Sequence, residues 1–220
     1  MTSPVVRDSL GVGVATGLYG ASFGAVSVAS GLDVVQTCVL SLLMFTGASQ
    51  FALVGTIAVG GGPWSGAATA LLLGTRNTLY GLRVGPLLGW SGWRRFAAAH
   101  LLIDESTAMS VTRENEQDAR TGFVTTGVTI FLLWNLTTWL GAVAGSTLGD
   151  PRSLGLDAAV GAAFLALLWP RLGQRSSQVV AVLAVAVALG LLPVVPAGVP
   201  VLAAGGVALL AGVLLPRSRA

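Results

Sequence analysis

The run from Val34 to Gly60, VVQTCVLSLLMFTGASQFALVGTIAVG, carries no charged residue, yet places Gly47-Ala48-Ser49-Gln50 near its middle. It is long enough to cross a bilayer, where a span needs about 20 residues, and its small and polar centre marks a place where a helix can be interrupted. The whole chain has the same character. Of 220 residues 54% are hydrophobic and only 10% charged, and the mean hydropathy is +0.81. A soluble domain carries about 25% charged residues, so most of this surface faces something other than water. The sequence predicts an all-α integral membrane protein forming one membrane domain over residues 1–220, with no room for a soluble catalytic domain.

Working outward from Val34–Gly60, apolar runs bounded by charge or proline predict further spans at Leu10–Gly31, Trp64–Leu88, Thr121–Leu148, Leu156–Trp169, Val179–Leu192 and Ala197–Leu215. Phe96–Thr112, with His100, Asp104 and Glu105, is too polar to face lipid. It reads as a short eighth crossing or as a re-entrant half-helix buried among the others. About seven transmembrane helices plus this segment result. The arginine distribution slightly favours re-entry, which in this count puts the N-terminus outside. Either version leaves the C-terminus cytoplasmic, together with the charged loop Arg113–Arg120. Trp64, Trp90, Trp93 and Trp169 lie at span ends, where indoles anchor in the headgroup layer.

Several classes of function are excluded. The 12 basic residues are all arginine and give a net charge of +3, but they sit mostly at loops and tails, where they orient the chain, so nucleic acid is not a partner. Cys38 and His100 are the single cysteine and histidine, which leaves no disulfide framework, no thiolate metal site and no multi-histidine metal centre, and no cofactor is expected. Gly11-Val12-Gly13 opens an apolar span rather than following a strand, so it is not a dinucleotide fingerprint. No nucleophile-elbow or zinc-protease motif appears.

The polar residues inside the spans are the candidates for chemistry. Gly20-Ala21-Ser22-Phe23-Gly24 and Gly47-Ala48-Ser49-Gln50-Phe51 resemble each other. Small residues let helices pack closely; alternatively both spans are discontinuous, and helix ends in the N-terminal half meet at one substrate site. Ser22, Gly47, Ser49 and Gln50 are then candidate substrate contacts. The buried Gln50 amide needs partners from a neighbouring helix or from substrate. Arg76, Tyr80 and Arg83 follow at i, i+4 and i+7 and share one helical face. Arg83 is near enough to the span end to snorkel, whereas Arg76 is too deep and needs a carboxylate partner or an anionic substrate group. Asn77 adds a donor and an acceptor beside it. Asp104 and Glu105 are the obvious partners. His100, four residues before Asp104, would share its helical face and form a proton-handling pair. Asp157 suits the N-terminal dipole of its span.

In order, Gly17-Leu18-Tyr19-Gly20-Ala21-Ser22-Phe23-Gly24, Phe45-Thr46-Gly47-Ala48-Ser49-Gln50-Phe51, Arg76-Asn77-Thr78-Leu79-Tyr80-Gly81 and Asp104-Glu105-Ser106-Thr107-Ala108 resemble the AzlC family. These are BrnF-like large subunits of two-component branched-chain amino acid exporters. The resemblance implies a multi-pass protein of the bacterial inner (plasma) membrane that works with a small AzlD-like membrane subunit. It would export leucine, isoleucine, valine and often methionine. Many relatives carry asparagine two positions before the arginine and histidine or tyrosine just after it; Gly74 and Asn77 stand there here, which bears on substrate identity. The expected function is secondary, proton-coupled amino acid export. Arg76, Asn77, Tyr80, Ser22, Gly47, Ser49 and Gln50 would contact substrate, and Asp104, Glu105 and His100 would couple protons or form the ion pair. The competing reading is the permease subunit of an ATP-driven transporter, which needs a cytoplasmic coupling helix at Arg113–Arg120.

Overall fold

The computed structural model describes residues 3–147, 165, 169–195 and 199–214, and the regular structure among them is helical, with no strand. The expected span Leu156–Trp169, with Asp157, lies almost wholly outside the described residues. Seven α-helices build the N-terminal part: α1 (Pro4–Ala29), α2 (Val34–Leu43), α3 (Gly47–Ala58), α4 (Pro63–Leu88), α5 (Gly92–His100), α6 (Asp104–Val111) and α7 (Glu116–Thr147). A 3₁₀ turn at Trp169–Gly173 precedes α8 (Arg175–Leu191) and α9 (Val199–Leu214), which pack on each other, with α9 also against α4.

The central pair is α1 and α7. Their 26 and 32 residues reach about 39 and 48 Å at ~1.5 Å per residue, and both are long and apolar enough to cross a membrane. They run parallel: Gly13 meets Thr129, Gly17 meets Leu133, Gly20 meets Trp134 and Thr137, and Gly24 meets Thr138 and Ala142. Glycines on both helices bring the backbones together, as small residues do in membrane bundles. The closeness lets α7 hydroxyls donate to α1 carbonyls: Thr137 Oγ1 to Gly17 O at 2.6 Å and Thr138 Oγ1 to Gly20 O at 3.2 Å.

The run Val34–Gly60 does not pass through the bundle, which corrects the expected second span. An Asp33–Gln36 capping box starts α2, and Thr37 bonds Ser27 near the C-terminal end of α1 (2.8 Å). The chain then descends to Phe45, whose ring lies 5.1 Å from Phe131 of α7. There it turns: Thr46 is extended, and α3 climbs back past Trp134 and Phe23 toward Val26. Gln50 Nε2 reaches the Ser41 carbonyl (3.4 Å), a contact that a helix continuing in one direction could not make across nine residues. An uncharged run is equally compatible with one through-helix and with two half-helices, so hydropathy alone does not separate them.

Helix α4 then runs antiparallel to α3, with Gly66 against Leu53 and Gly74 against Ser49. Gly89 ends it in the left-handed region (φ 63°), and Arg120 Nε donates to the Leu88 carbonyl at 2.8 Å. The segment after it is a second hairpin. It starts with Trp90 beside Phe123, rises to Leu101 beside Gly127, and returns through α6 until Met109 meets Gly122 and Arg113 faces Asp8 (3.7 Å). Both of its ends therefore lie where α1 begins. The break at Leu101–Ile103 also removes the helical face expected to join His100 to Asp104.

Two units of one long helix plus one hairpin thus follow each other in opposite directions: α1 to α3, then α4 to α6. Leu18-Tyr19-Gly20 and Leu79-Tyr80-Gly81 recur on their long helices. The first unit, Ser22 and Ser49 included, resembles an interrupted pair of spans only in part: α1 is continuous and the interruption belongs to α2 and α3.

A Cβ at Gly24 would press on the Thr138 carbonyl, whereas one at Gly11 meets open space. Gly24→Ala should therefore destabilise the protein by about 1–3 kcal/mol. Gly11→Ala should be neutral or stabilising by up to about 1 kcal/mol. Thermal unfolding of the two variants in detergent checks this; equal melting temperatures would show that the α1–α7 seam is not close-packed.

Candidate functional site

The tips of the two hairpins meet halfway along α1 and α7. Phe45 at the first tip lies 6.1 Å from the His100 ring at the second, and Phe45 and Ile103 share one buried cluster with Phe23, Phe51, Ile130 and Trp134. Between the tips is a cavity of about 70 Å³. Thr46, Gly47 and Ala48 bring the N-terminus of α3 to it, and Asp104 and Glu105 bring the first turn of α6. Arg76 enters from α4, Thr16 and Tyr19 from α1, Ile130 and Trp134 from α7.

Charge is separated within this cavity. Arg76 Nη1 bonds Asp104 Oδ2 at 2.9 Å, with their side chains 21% and 34% exposed. Asp104, not Glu105, is therefore the ion-pair partner. The pair leaves groups unused: Arg76 Nε and Asp104 Oδ1 are buried without a hydrogen bond, as is Tyr19 Oη. No side chain caps α3, so its N-terminal dipole and amides are directed at the cavity, an arrangement that favours anions. Glu105 stands on the other wall beside Asp104. An anion-favouring half and a carboxylate half thus face each other between aromatic and aliphatic walls.

The remaining expected residues are spread more widely. Gln50 is fully buried and both ends of its amide are used: Oε1 accepts from Trp134 Nε1 (3.0 Å), and Nε2 donates to Ser41 O. It holds the hairpin to α7 and does not line the cavity. Ser49 is buried with its hydroxyl unpaired, against Gly74 of α4. Ser22 is exposed on α1. Asn77 faces the opposite side of the second tip, where Nδ2 donates to Leu102 O (3.3 Å). Tyr80 and Arg83 line neither wall of the central cavity. His100 is exposed, with its ring tilted against Phe45 and edge-on to Phe131. Among the described residues no three His, Cys, Asp or Glu side chains come together to hold a metal.

Sequence reasoning missed Tyr19, Thr46, Ile103 and Trp134. Tyr19 and Thr46 sit inside the glycine motifs already quoted, so the signal was present. Nothing in a lone Ile103 or Trp134 says that either lines a cavity.

With this geometry in hand, the chain matches the family model described as AzlC protein over residues 11–148, and it belongs to that family. The match runs from within α1 to the end of α7, and with the apolar helices it makes this a membrane protein. No similar curated protein and no similar solved structure was found.

The ion pair generates a specific expectation. Because its side chains are partly exposed, Arg76→Ala or Asp104→Asn alone should cost about 1–3 kcal/mol, below the 3–5 of a fully buried pair. The double variant should recover part of that loss. Arg76→Ala combined with Glu105→Gln should recover clearly less of it. A double-mutant cycle on melting temperature decides the assignment; equal coupling to Glu105 would overturn it.

Proposed function

We propose that this AzlC-family chain is the large subunit of a secondary transporter that exports branched-chain and similar hydrophobic amino acids, with the central cavity as its substrate site. The AzlC family is associated with branched-chain amino acid transport components. The observation that carries the reading is the meeting of two opposed half-helices at a cavity with an anion-favouring side, a carboxylate side and apolar walls. A zwitterion needs that combination. Its carboxylate suits the α3 N-terminus and the free Nε of Arg76, its ammonium Glu105 and the free oxygen of Asp104, and its aliphatic chain Phe45, Ile130 and Trp134. Discontinuous helices at an internal repeat interface are the usual construction of a transporter site.

At about 70 Å³ the cavity holds roughly two waters at ~30 Å³ each, so the tips must part to admit an amino acid. When the substrate ammonium leaves, Glu105 loses its counter-charge and a proton is the simplest replacement. That is the basis of the proposed proton coupling.

Orientation follows from the arginines. Arg7, Arg94, Arg95, Arg113 and Arg120 all lie at the end of the bundle where α1 begins, while Gly31–Val34 and Val59–Trp64 at the other end carry Asp33 and no arginine. By the positive-inside rule the first end is cytoplasmic. Because Val34–Gly60 and the polar segment both turn back, the N-terminus moves inside with them. In this reading α1, α4, α7, α8 and α9 cross the bacterial plasma membrane together with the span the sequence predicts at Leu156–Trp169, six crossings that leave both termini cytoplasmic, and an AzlD-like subunit completes the transporter. An ATP-driven permease is less well supported. Helix α7 already begins at Glu116, which leaves only Thr112–Asn115 between α6 and α7 and no separate coupling helix.

Counterflow in proteoliposomes, with and without the small subunit, tests the proposal. Leucine, isoleucine, valine and methionine should exchange, while leucinol and 4-methylpentanoate, each lacking one charge, should not. Glu105→Gln should lower exchange about ten- to hundredfold, the worth of one charge-assisted hydrogen bond. Full exchange by that variant, or exchange driven by ATP alone, would sink the reading.

A further inference from the structure

A second and much larger cavity, about 710 Å³, lies between α4, α5 and the start of α7. It reaches from Trp90 and Arg95 at the arginine-rich end up to Asn77 and Leu102. Its size is that of a ligand pocket, about 300–1,000 Å³, whereas the central cavity is tenfold smaller. The two cavities have adjacent residues as their walls: Arg76 and Ile103 line the central one, Asn77 and Leu102 the larger. Only the thickness of the α4 backbone and of the second hairpin tip separates them. The partition is fastened on both faces, by Arg76–Asp104 at 2.9 Å on one and by Asn77 Nδ2 to Leu102 O at 3.3 Å on the other.

We propose that the cleft is an intake vestibule, a second binding site for the amino acid on the cytoplasmic side, and that the Asn77–Leu102 contact is its inner gate. This rests on the transport reading above. Three observations favour an amino acid over other occupants. Arg95 at the outer part offers a cation to a carboxylate. Asn77 Oδ1 is buried beside the inner part with no hydrogen-bond partner and can accept from an ammonium group once the Asn77–Leu102 contact opens. The stretch between them is aliphatic and aromatic, with Leu82, Val84 and Phe123, and suits a branched side chain. A lipid chain would leave the Asn77 oxygen unpaired, and an apolar partner helix would bury it without an acceptor's complement. On passing the partition the ammonium would exchange Asn77 Oδ1 for Asp104 and Glu105 across the hairpin tip, so it is never left in an apolar medium.

The test uses the reconstituted complex with the small subunit, in a Cys38→Ala background. Ala99→Cys places a thiol on the cleft wall, and its leucine counterflow is measured before any labelling. A membrane-impermeant cationic thiosulfonate should modify it from the cytoplasmic face only. Leucine at about ten times its half-saturating concentration should slow that reaction roughly tenfold, as 1 + [L]/Kd requires. In a second variant, Ile103→Cys, adding Asn77→Ala should speed cytoplasmic labelling about five- to tenfold, the population shift that one hydrogen bond supports. Labelling by a lipid-soluble maleimide alone would show a lipid-filled groove and overturn the proposal. Labelling that appears only without the small subunit would make the cleft that subunit's seat and also overturn it. Intact counterflow with no leucine protection would reject the vestibule and leave the transport reading standing, and absence of both would reject the two together.

Discussion

Everything at the centre of this bundle depends on one requirement: backbone that leaves helical conformation away from water must have its polar groups satisfied by protein. The second tip meets it with side chains from nearby, and the first meets it on the α2 side only, since no side chain caps α3. At the second tip Ser106 Oγ accepts from Ile103 N–H (3.0 Å) and donates to the Leu101 carbonyl (2.7 Å), while Asn77 donates to Leu102 O. At the first, Gln50 takes the Ser41 carbonyl and Trp134 in turn takes Gln50. An unpaired buried amide or carbonyl costs about 1–3 kcal/mol, so these few contacts decide whether the chain turns back or continues. They also fix where each tip stops, and hence where Thr46, Gly47, Asp104 and Glu105 stand.

The hairpins need a fixed reference, and the α1–α7 seam supplies it. Glycine on both sides of that seam removes side-chain bulk, and the hydroxyls of Thr137 and Thr138 stitch one backbone to the other. Contact at the tips is of a different kind. It consists of aromatic rings at 5.1–6.1 Å separations, one partly exposed ion pair and single hydrogen bonds, each worth about a kcal/mol. The molecule therefore places its strong, close-packed interface along the long helices and its weaker contacts at the tips, the walls that would part in the proposed transport cycle.

The amino-acid sequence discloses the first level of this design and conceals the second. Apolar runs, the polarity of Phe96–Thr112 and the need of Arg76 for a carboxylate are all consequences of solvation, which acts on each residue where it stands. Whether Val34–Gly60 passes through or turns back depends on contacts between Gln50 and Ser41 and between Thr37 and Ser27, which no window average contains. Two local signals did point to it. Asp33-x-x-Gln36 marks a helix start with a capping box, and Thr46 next to Gly47 marks a second start only thirteen positions later. The His100–Asp104 spacing misled for the same reason, since i and i+4 share a face only if the helix between them is unbroken.

The two tips are alike in geometry but not in charge, and the asymmetry has a consequence. Each brings a helix N-terminus, equivalent to roughly half a positive charge, to one cavity. The second tip offsets its own with Asp104 and Glu105; the first, with Thr46, Gly47 and Ala48, offsets nothing. Arg76 is neutralised by Asp104. With Asp104 paired to Arg76, what remains is a positive end at α3 and, opposite it when ionised, a Glu105 carboxylate only partly offset by the α6 N-terminus and by Arg76, that is, a dipole across the cavity. A zwitterion lying along that dipole is held at both ends, while a plain anion or a plain cation satisfies one end and is opposed at the other. In the proposed transport cycle, selection of amino acids over their deaminated or decarboxylated relatives then follows from this arrangement of two hairpins, and the apolar walls discriminate only among side chains.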